Sequence, residues 1–251
     1  MSATVETLAA LLLAHALADF VFQTNAMIEN KRKPQVQLLH GVIVLVLSLA
    51  AVGQPLSGPV WFLAALHLLT DRIKLAFGDT LGPFLLDQTV HIITICAIAI
   101  AFPTLWQDGW WADILSAGDI AARVPVIMIY LSGAILAVRA GGFAVAKLLT
   151  PYQSYWVRHA VLAGSLKDAG RLIGQLERGL TYLFVLTGQP TGVAVLIGAK
   201  SVLRFNTTKD ERRLAEYVII GTLASIGWAI LMALGAQFLI ETLTAPQTPL
   251  S

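Results

Sequence analysis

Cysteine is almost absent from this chain. Cys96 is its only copy, so neither a disulfide framework nor a cysteine-based zinc site can form. Charge is scarce as well: Asp, Glu, Lys and Arg make up 13% of the residues, against about 25% in a soluble globular domain. The basic residues form no continuous stripe, which excludes the electrostatic footprint of a nucleic-acid partner. The start of the chain lacks a basic leader and a small-residue cleavage site. Its first apolar run also carries part of the polar motif described below, so it reads as a retained span rather than a removable signal.

Hydrophobic side chains make up 57% of the sequence, with a mean hydropathy of +0.74. They gather in runs of about 20 residues, the length at which a helix crosses a bilayer. The expected fold is all-α, a polytopic transmembrane bundle of about eight helices. The runs cover 5–26, 36–53, 58–77, 84–104, 123–148, 170–188, 190–204 and 214–241. Lys33-Pro34, Gly53-Gln54-Pro55, Gly78 to Pro83 and Gly188-Gln189-Pro190 punctuate them. The seventh run is short enough to re-enter the membrane rather than span it. The expected division is a four-helix part over 1–105, an outer aromatic loop over 106–122 and a C-terminal transmembrane part over 123–251.

Lys and Arg set the expected orientation. Lys31, Arg32, Lys33, Arg72, Lys74, Lys147, Arg158, Lys167, Arg171, Lys209, Arg212 and Arg213 all fall on one side. The other side holds Arg123 with Asp108, Asp113 and Asp119. Both termini are therefore expected outside and the basic loops in the cytoplasm. Trp106, Trp110 and Trp111 fit an outer aromatic belt, and residues 151–167, with Tyr152, Tyr155, Trp156, Arg158 and His159, fit a short helix on the cytoplasmic surface.

Set into the apolar runs is a repeated polar pattern. His15, Asp19 and His40 recur as His67, Asp71 and His91, at offsets of 52, 52 and 51 residues. Each His-x-x-x-Asp pair is spaced i, i+4, which puts both side chains on one helix face. Asp87 and His91 form a third such pair. Asp87 has no counterpart in the first hairpin, where the equivalent position is Val36. With the helices alternating in direction, four His and three Asp come to similar depth, within about 10 Å of the cytoplasmic face at 1.5 Å of rise per residue.

An ionised Asp inside a membrane costs roughly 2.5–3.5 kcal/mol, so three of them require partners. Neutral His with carboxylate is common ligation for a divalent ion: zinc first, manganese or iron next. Lys74, on the face of His67 and Asp71, can balance the remaining charge. Gln23, four residues after Asp19, can serve as a hydrogen-bond partner behind the ligands. Three other readings compete: a polar network that only fixes helix packing, a haem site, and a proton or ion relay without bound metal. A haem site would use His pairs, whereas here each His travels with an Asp.

A second polar group comprises Glu177 and Arg178 in the sixth run, Lys200 and Arg204 in the seventh and Glu216 at the start of the eighth. It reads either as buried ion pairs or as an anion-binding wall, in which Glu177, Lys200 and Arg204 line a site for a phosphate-bearing headgroup.

The run His15-Ala16-Leu17-Ala18-Asp19-Phe20-Val21-Phe22-Gln23, with His40-Gly41, His67-x-x-x-Asp71 and Asp87-Gln88-x-x-His91, resembles the bacterial membrane family known as domain of unknown function 3307. The runs Ile173-Gly174-x-Leu176-Glu177-Arg178, Ala199-Lys200-Ser201-x-x-Arg204-Phe205 and Glu216-Tyr217 to Gly221-Thr222-Leu223-x-Ser225 resemble its longer members. The resemblance implies an integral protein of a bacterial inner membrane. The His/Asp pattern is loosely similar to that of membrane-bound metal-dependent hydrolases.

The expected function is thus a membrane-embedded, metal-dependent hydrolase or transferase with a cytoplasm-facing site. His15, Asp19, His40, His67, Asp71, Asp87 and His91 would hold one or two divalent ions. Asp87 would be the general base, and Lys200 and Arg204 would contact an anionic or lipidic substrate. The alternatives are a metal-ion or proton transporter built on the same residues, and a structural membrane protein with a polar packing network.

Overall fold

The computed structural model describes residues 2–115, 120–158, 169–205 and 212–245; for 121–122, 153–158, 203–205 and 212–215 it describes the backbone alone. Every described segment is helical or a short connection. The helices are α1 (Ser2–Leu17), α2 (Asn25–Glu29), α3 (Pro34–Val52), α4 (Gly58–Lys74), α5 (Leu81–Ala101), α6 (Trp110–Leu115), α7 (Ile120–Ile135), α8 (Gly141–Arg158), α9 (Ala169–Leu186), α10 (Pro190–Phe205) and α11 (Arg212–Thr244). A π-helical turn, Ala18–Phe22, follows α1, and a second, Leu136–Ala140, lies between α7 and α8.

Among the described residues, five helical stretches are long and apolar enough to cross a membrane: Ser2–Phe22, Pro34–Val52, Leu81–Ala101, Arg123–Tyr152 and Glu216–Thr244. The chain is a multi-pass membrane protein. The other three expected spans are helical too but shorter or more polar. α4 spends positions on His67, Asp71, Arg72 and Lys74, and α9 on Arg171, Glu177 and Arg178, while the apolar part of α10 covers only Pro190–Val202.

The chain divides into two compact units, Met1–Ile135 with Ala236–Ser251, and Leu136–Gly235. In the first, α1 is the central helix, packed on α3, α5 and α7. Ala9, Ala10, Ala14, Ala16 and Ala18 are fully or almost fully buried, and their small side chains let neighbouring backbones approach closely. Leu11, Val52, Val60, Leu63, Ile95 and Ile98 fill the core around them. Leu38, Trp61, Phe62, Ile93 and Ile100 point outward, as on helices whose surroundings are apolar.

One end of this unit is tied by its connections. Pro34 opens α3 at the position where a missing N–H costs nothing. Gly53 closes it in the left-handed conformation (φ 71°), with the Gln54 N–H donating to the Leu49 carbonyl. The segment between α5 and α6 folds back onto this cap. Gln54 Nε2 donates to the Leu105 carbonyl at 2.7 Å, Trp111 Nε1 to the Ala50 carbonyl at 2.6 Å, and Thr7 Oγ1 to the Pro103 carbonyl at 2.8 Å. A Cβ at Gly109 would collide with the Val52 carbonyl. Trp106 is buried in the core here rather than lying in an aromatic belt; Trp110 is the more exposed ring.

The second unit is organised around Arg178. Its Nε and Nη2 donate to the Val138 carbonyl at 3.1 and 3.0 Å, and Nη1 donates to Ser225 Oγ at 3.1 Å. Trp228 Nε1 donates to the Leu136 carbonyl at 2.9 Å. Two carbonyls of the π turn are thus met by side-chain donors. Gly141, Gly142 and Gly174 make room for the guanidinium, since a Cβ at any of them would come within about 3 Å of Arg178 atoms.

Candidate metal centre

All seven His and Asp residues of the repeated pattern meet at the end of the first unit opposite the Trp106 segment. His15 lies on the last turn of α1 and Asp19 on the π turn that follows. His40 is in the second turn of α3, His67 and Asp71 are in the last two turns of α4, and Asp87 and His91 are in the first half of α5. Each is at most 8% exposed. The two sequence copies are built differently: Asp71 continues a regular α-helix, whereas Asp19 sits where the helix widens to π geometry, a feature frequent at functional sites.

The shortest distances converge on His40. Its Nε2 lies 3.2 Å from His67 Nε2, 3.3 Å from Asp19 Oδ1 and 3.4 Å from Asp71 Oδ2. Asp19 Oδ1 is also 3.3 Å from His67 Nε2. An imidazole nitrogen makes one directed hydrogen bond, so three polar atoms at nearly equal range exceed what a hydrogen bond explains. Donors on a four-coordinate zinc, with bonds of about 2.0–2.2 Å, lie about 3.3 Å apart along each tetrahedral edge. The observed edges match that spacing.

Three overlapping groups each offer three ligand atoms within 4.8 Å of one another: His15, Asp19 and His67; His40, His67 and Asp71; Asp71, Asp87 and His91. In the last group His91 Nε2 is 3.4 Å from Asp87 Oδ1 and 3.9 Å from Asp71 Oδ1. The His67 and His91 rings stack with centroids 3.9 Å apart, which locks both imidazoles. Asp19 Oδ1, Asp87 Oδ1 and His91 Nε2 are buried without a hydrogen-bond partner, and so are His15 Nδ1 and His40 Nδ1. Buried polar atoms are normally paired, and this concentration of unpaired ones leaves donor atoms that could hold an ion. Against the histidines lies a cavity of about 10 Å³, room for a single water, lined by His15, His67, His91, Ser48, Thr94 and four apolar side chains.

Two lysines reach this end. Lys31 Nζ donates to Asp71 Oδ1 at 3.0 Å and Lys74 Nζ to Asp87 Oδ2 at 2.6 Å. Burial works against the Lys31 ammonium, but the Asp71 carboxylate prevails and holds its pKa above the ordinary lysine value. The amide that reaches the candidate ligands is Gln88. Its Nε2 donates to Asp19 Oδ2 and Asp87 Oδ2, both at 3.2 Å, and its Oε1 lies 3.2 Å from His15 Nε2. Gln23 lies half-buried just past the π turn. The sequence signal for Gln88 was its place beside Asp87, one helical turn before His91.

In the second unit, Lys200 Nζ reaches both carboxylate oxygens of Glu177 at 2.8 Å. Glu216 is exposed. Residues 151–158 of the surface helix expected over 151–167 continue α8; its remainder, with His159 and Lys167, lies outside the described residues, as do the Arg204 side chain, Lys209 and Asp119.

No curated protein and no solved structure matches the chain. The runs between Ile173 and Ser225 that resemble longer family members lie outside the matched range, residues 7–114. Residues 7–114, which carry all seven His and Asp ligand candidates, match the family described as Protein of unknown function (DUF3307), and this part of the chain is a domain of that family.

Proposed function

We propose that this is a membrane-embedded, metal-dependent hydrolase or transferase acting on an anionic or lipidic substrate. The observation that carries the reading is the His40 Nε2 environment, with His67, Asp19 and Asp71 atoms at 3.2–3.4 Å around one nitrogen, together with the buried, unpartnered Asp19 Oδ1. His15, His40, His67 and His91 with Asp19, Asp71 and Asp87 are the candidate donors, and the spacing favours zinc over manganese or iron. A divalent ion there supplies Lewis acidity toward a carbonyl or phosphoryl oxygen and makes water acidic enough to attack at neutral pH.

The chain supplies the rest. Asp87 is the general base: its Oδ1 is free of hydrogen bonds and faces His91, while Lys74 and Gln88 hold its other oxygen still. Gln88 fixes Asp19 and His15 in their orientations. The site end of the unit carries Lys31, Arg32, Lys33, Arg72 and Lys74, whereas the opposite end carries Glu6, Asp108 and Asp113. The positive-inside rule therefore supports a centre facing the cytoplasm of a bacterial inner membrane, with both termini outside. With neutral histidines, three carboxylates, two lysines and one divalent ion leave a single positive charge, which suits an anionic group. Glu177 and Lys200 neutralise each other, so we assign recognition of the anion to the metal end.

Elemental analysis of protein purified in mild detergent, without chelator or His-tag, tests the proposal. Near-integer zinc, manganese or iron per chain is expected, absent from a His67→Ala, Asp71→Ala variant. Phosphoester and lipid substrates then test turnover. No metal in the wild-type protein, even after supplementation, overturns the reading.

A further inference from the structure

The ligand candidates differ in what already rests on them. In the group of Asp71, Asp87 and His91, both carboxylates carry an ammonium: Lys31 on Asp71 Oδ1 and Lys74 on Asp87 Oδ2. Lys74 is further held by the Phe84 ring, 5.5 Å from its Nζ. Asp71 is divided between two neighbourhoods, since its Oδ2 faces His40 while its Oδ1 faces Lys31. Around Asp19, His40 and His67, by contrast, the contacts among the described residues are to other histidines, to Asp71 and to the neutral Gln88.

We infer that the centre takes one divalent ion, on Asp19, His40, His67 and Asp71 Oδ2, and that the Lys31 and Lys74 ammoniums stand where a second ion would sit. This rests on the metal-dependent reading above and fixes its stoichiometry. Charge argues the same way. The three carboxylates and two ammoniums leave one negative charge, so one divalent ion gives a net single positive charge and two would give three, in a buried site where screening is weak. A second ion on Asp71 Oδ1 and Asp87 Oδ1 would have to compete with Lys31 for the first oxygen and share the second carboxylate with Lys74. With the ion on Asp19, His40, His67 and Asp71 Oδ2, Asp87 stays off the metal, as its role as base requires.

The test is metal stoichiometry on the full chain in detergent micelles. Protein stripped with chelator is dialysed against excess zinc, then against metal-free buffer, and assayed for zinc per chain. The wild type is expected to hold one equivalent. A Lys31→Met, Lys74→Met variant, which keeps the apolar stems, is expected to hold two; Lys31→Arg, Lys74→Arg is expected to hold one. Two equivalents in the wild type overturn the inference. One equivalent in a Met variant whose circular dichroism matches the wild type overturns the role given to the lysines. No zinc in the wild type overturns the metal reading itself, a separate result from a wrong count.

Discussion

In the unit Met1–Ile135, seven buried His and Asp side chains converge, and five of their polar atoms find no hydrogen-bond partner. In the unit Leu136–Gly235, Arg178 is as deeply buried, yet three of its nitrogens are met by the Val138 carbonyl and Ser225, and Glu177 is closed by Lys200. Among the described residues of that unit, Thr181 Oγ1 is the unpartnered buried atom, an uncharged hydroxyl. Each cluster sits beside a π turn. In the second unit the widened turn frees carbonyls that Arg178 and Trp228 satisfy from within the fold. In the first it carries Asp19, aimed at His40 and His67 from another helix. A polar cluster that closes its own hydrogen bonds is a packing device. One that leaves charged donors open and equidistant is prepared for a ligand.

The comparison breaks most visibly at His40, the hub of the shortest distances. His40→Ala should remove bound metal altogether, beyond the roughly 100-fold loss typical of a residue behind the ligands. Elemental analysis beside a thermal melt of metal-free protein checks this: metal should vanish while the melt stays close to that of the metal-free wild type. A large fall in the metal-free melt would place the cluster with the packing devices.

Gly141→Ala is the mirror experiment. Its Cβ would come within 2.6 Å of Trp228 Cδ1 and 2.9 Å of Arg178 Cδ, in a space with no give. Overpacking of this kind costs about 1–3 kcal/mol, so thermal stability should fall while zinc per chain stays unchanged. Next in size is Gln88→Leu. It removes the amide linking His15, Asp19 and Asp87 but keeps the volume. Metal affinity should weaken about 10–100-fold, read by competition with a chelator of known affinity. No change would return Gln88 to packing.

The sequence made the cluster legible because ionisable residues inside apolar runs are costly and need partners. The spacing of His15, Asp19, His67 and Asp71 did the rest, placing each pair on one helix face. The helices of the first unit were legible from their breaks, Gly53 and Pro34 above all. The π turn at Ala18–Phe22 was not: it contains neither Gly nor Pro, and its geometry follows from packing against other helices. Gln88 carried only a positional signal, its place beside Asp87, because an amide costs little to bury beside a carboxylate and burial cost does not single it out. Gln23 met the helical spacing equally well but follows the π turn, where that spacing no longer holds. Trp106 looked interfacial from its neighbours Trp110 and Trp111, and only the fold-back onto the α3 cap shows that it is core.

The smallest expected effect belongs to the Glu177–Lys200 pair, and it decides whether the second cluster takes part in recognition. The side chains are 10% and 21% exposed, with the ammonium 2.8 Å from the carboxylate. Such a pair gains Coulomb energy but loses hydration, so its net contribution is about 1 kcal/mol or less. Lys200→Met alone leaves the buried Glu177 carboxylate without its cation and should destabilise more than the double variant Glu177→Gln, Lys200→Met, which removes both charges. The two melts, compared with the wild type, measure that non-additivity. Zinc per chain and turnover should be the same in all three proteins, because an internally neutralised pair has no charge to offer an anion. If the double variant melts like the wild type and keeps its metal but loses turnover on an anionic substrate, the pair belongs to the binding wall, and the division between a closed cluster and an open one fails at this position.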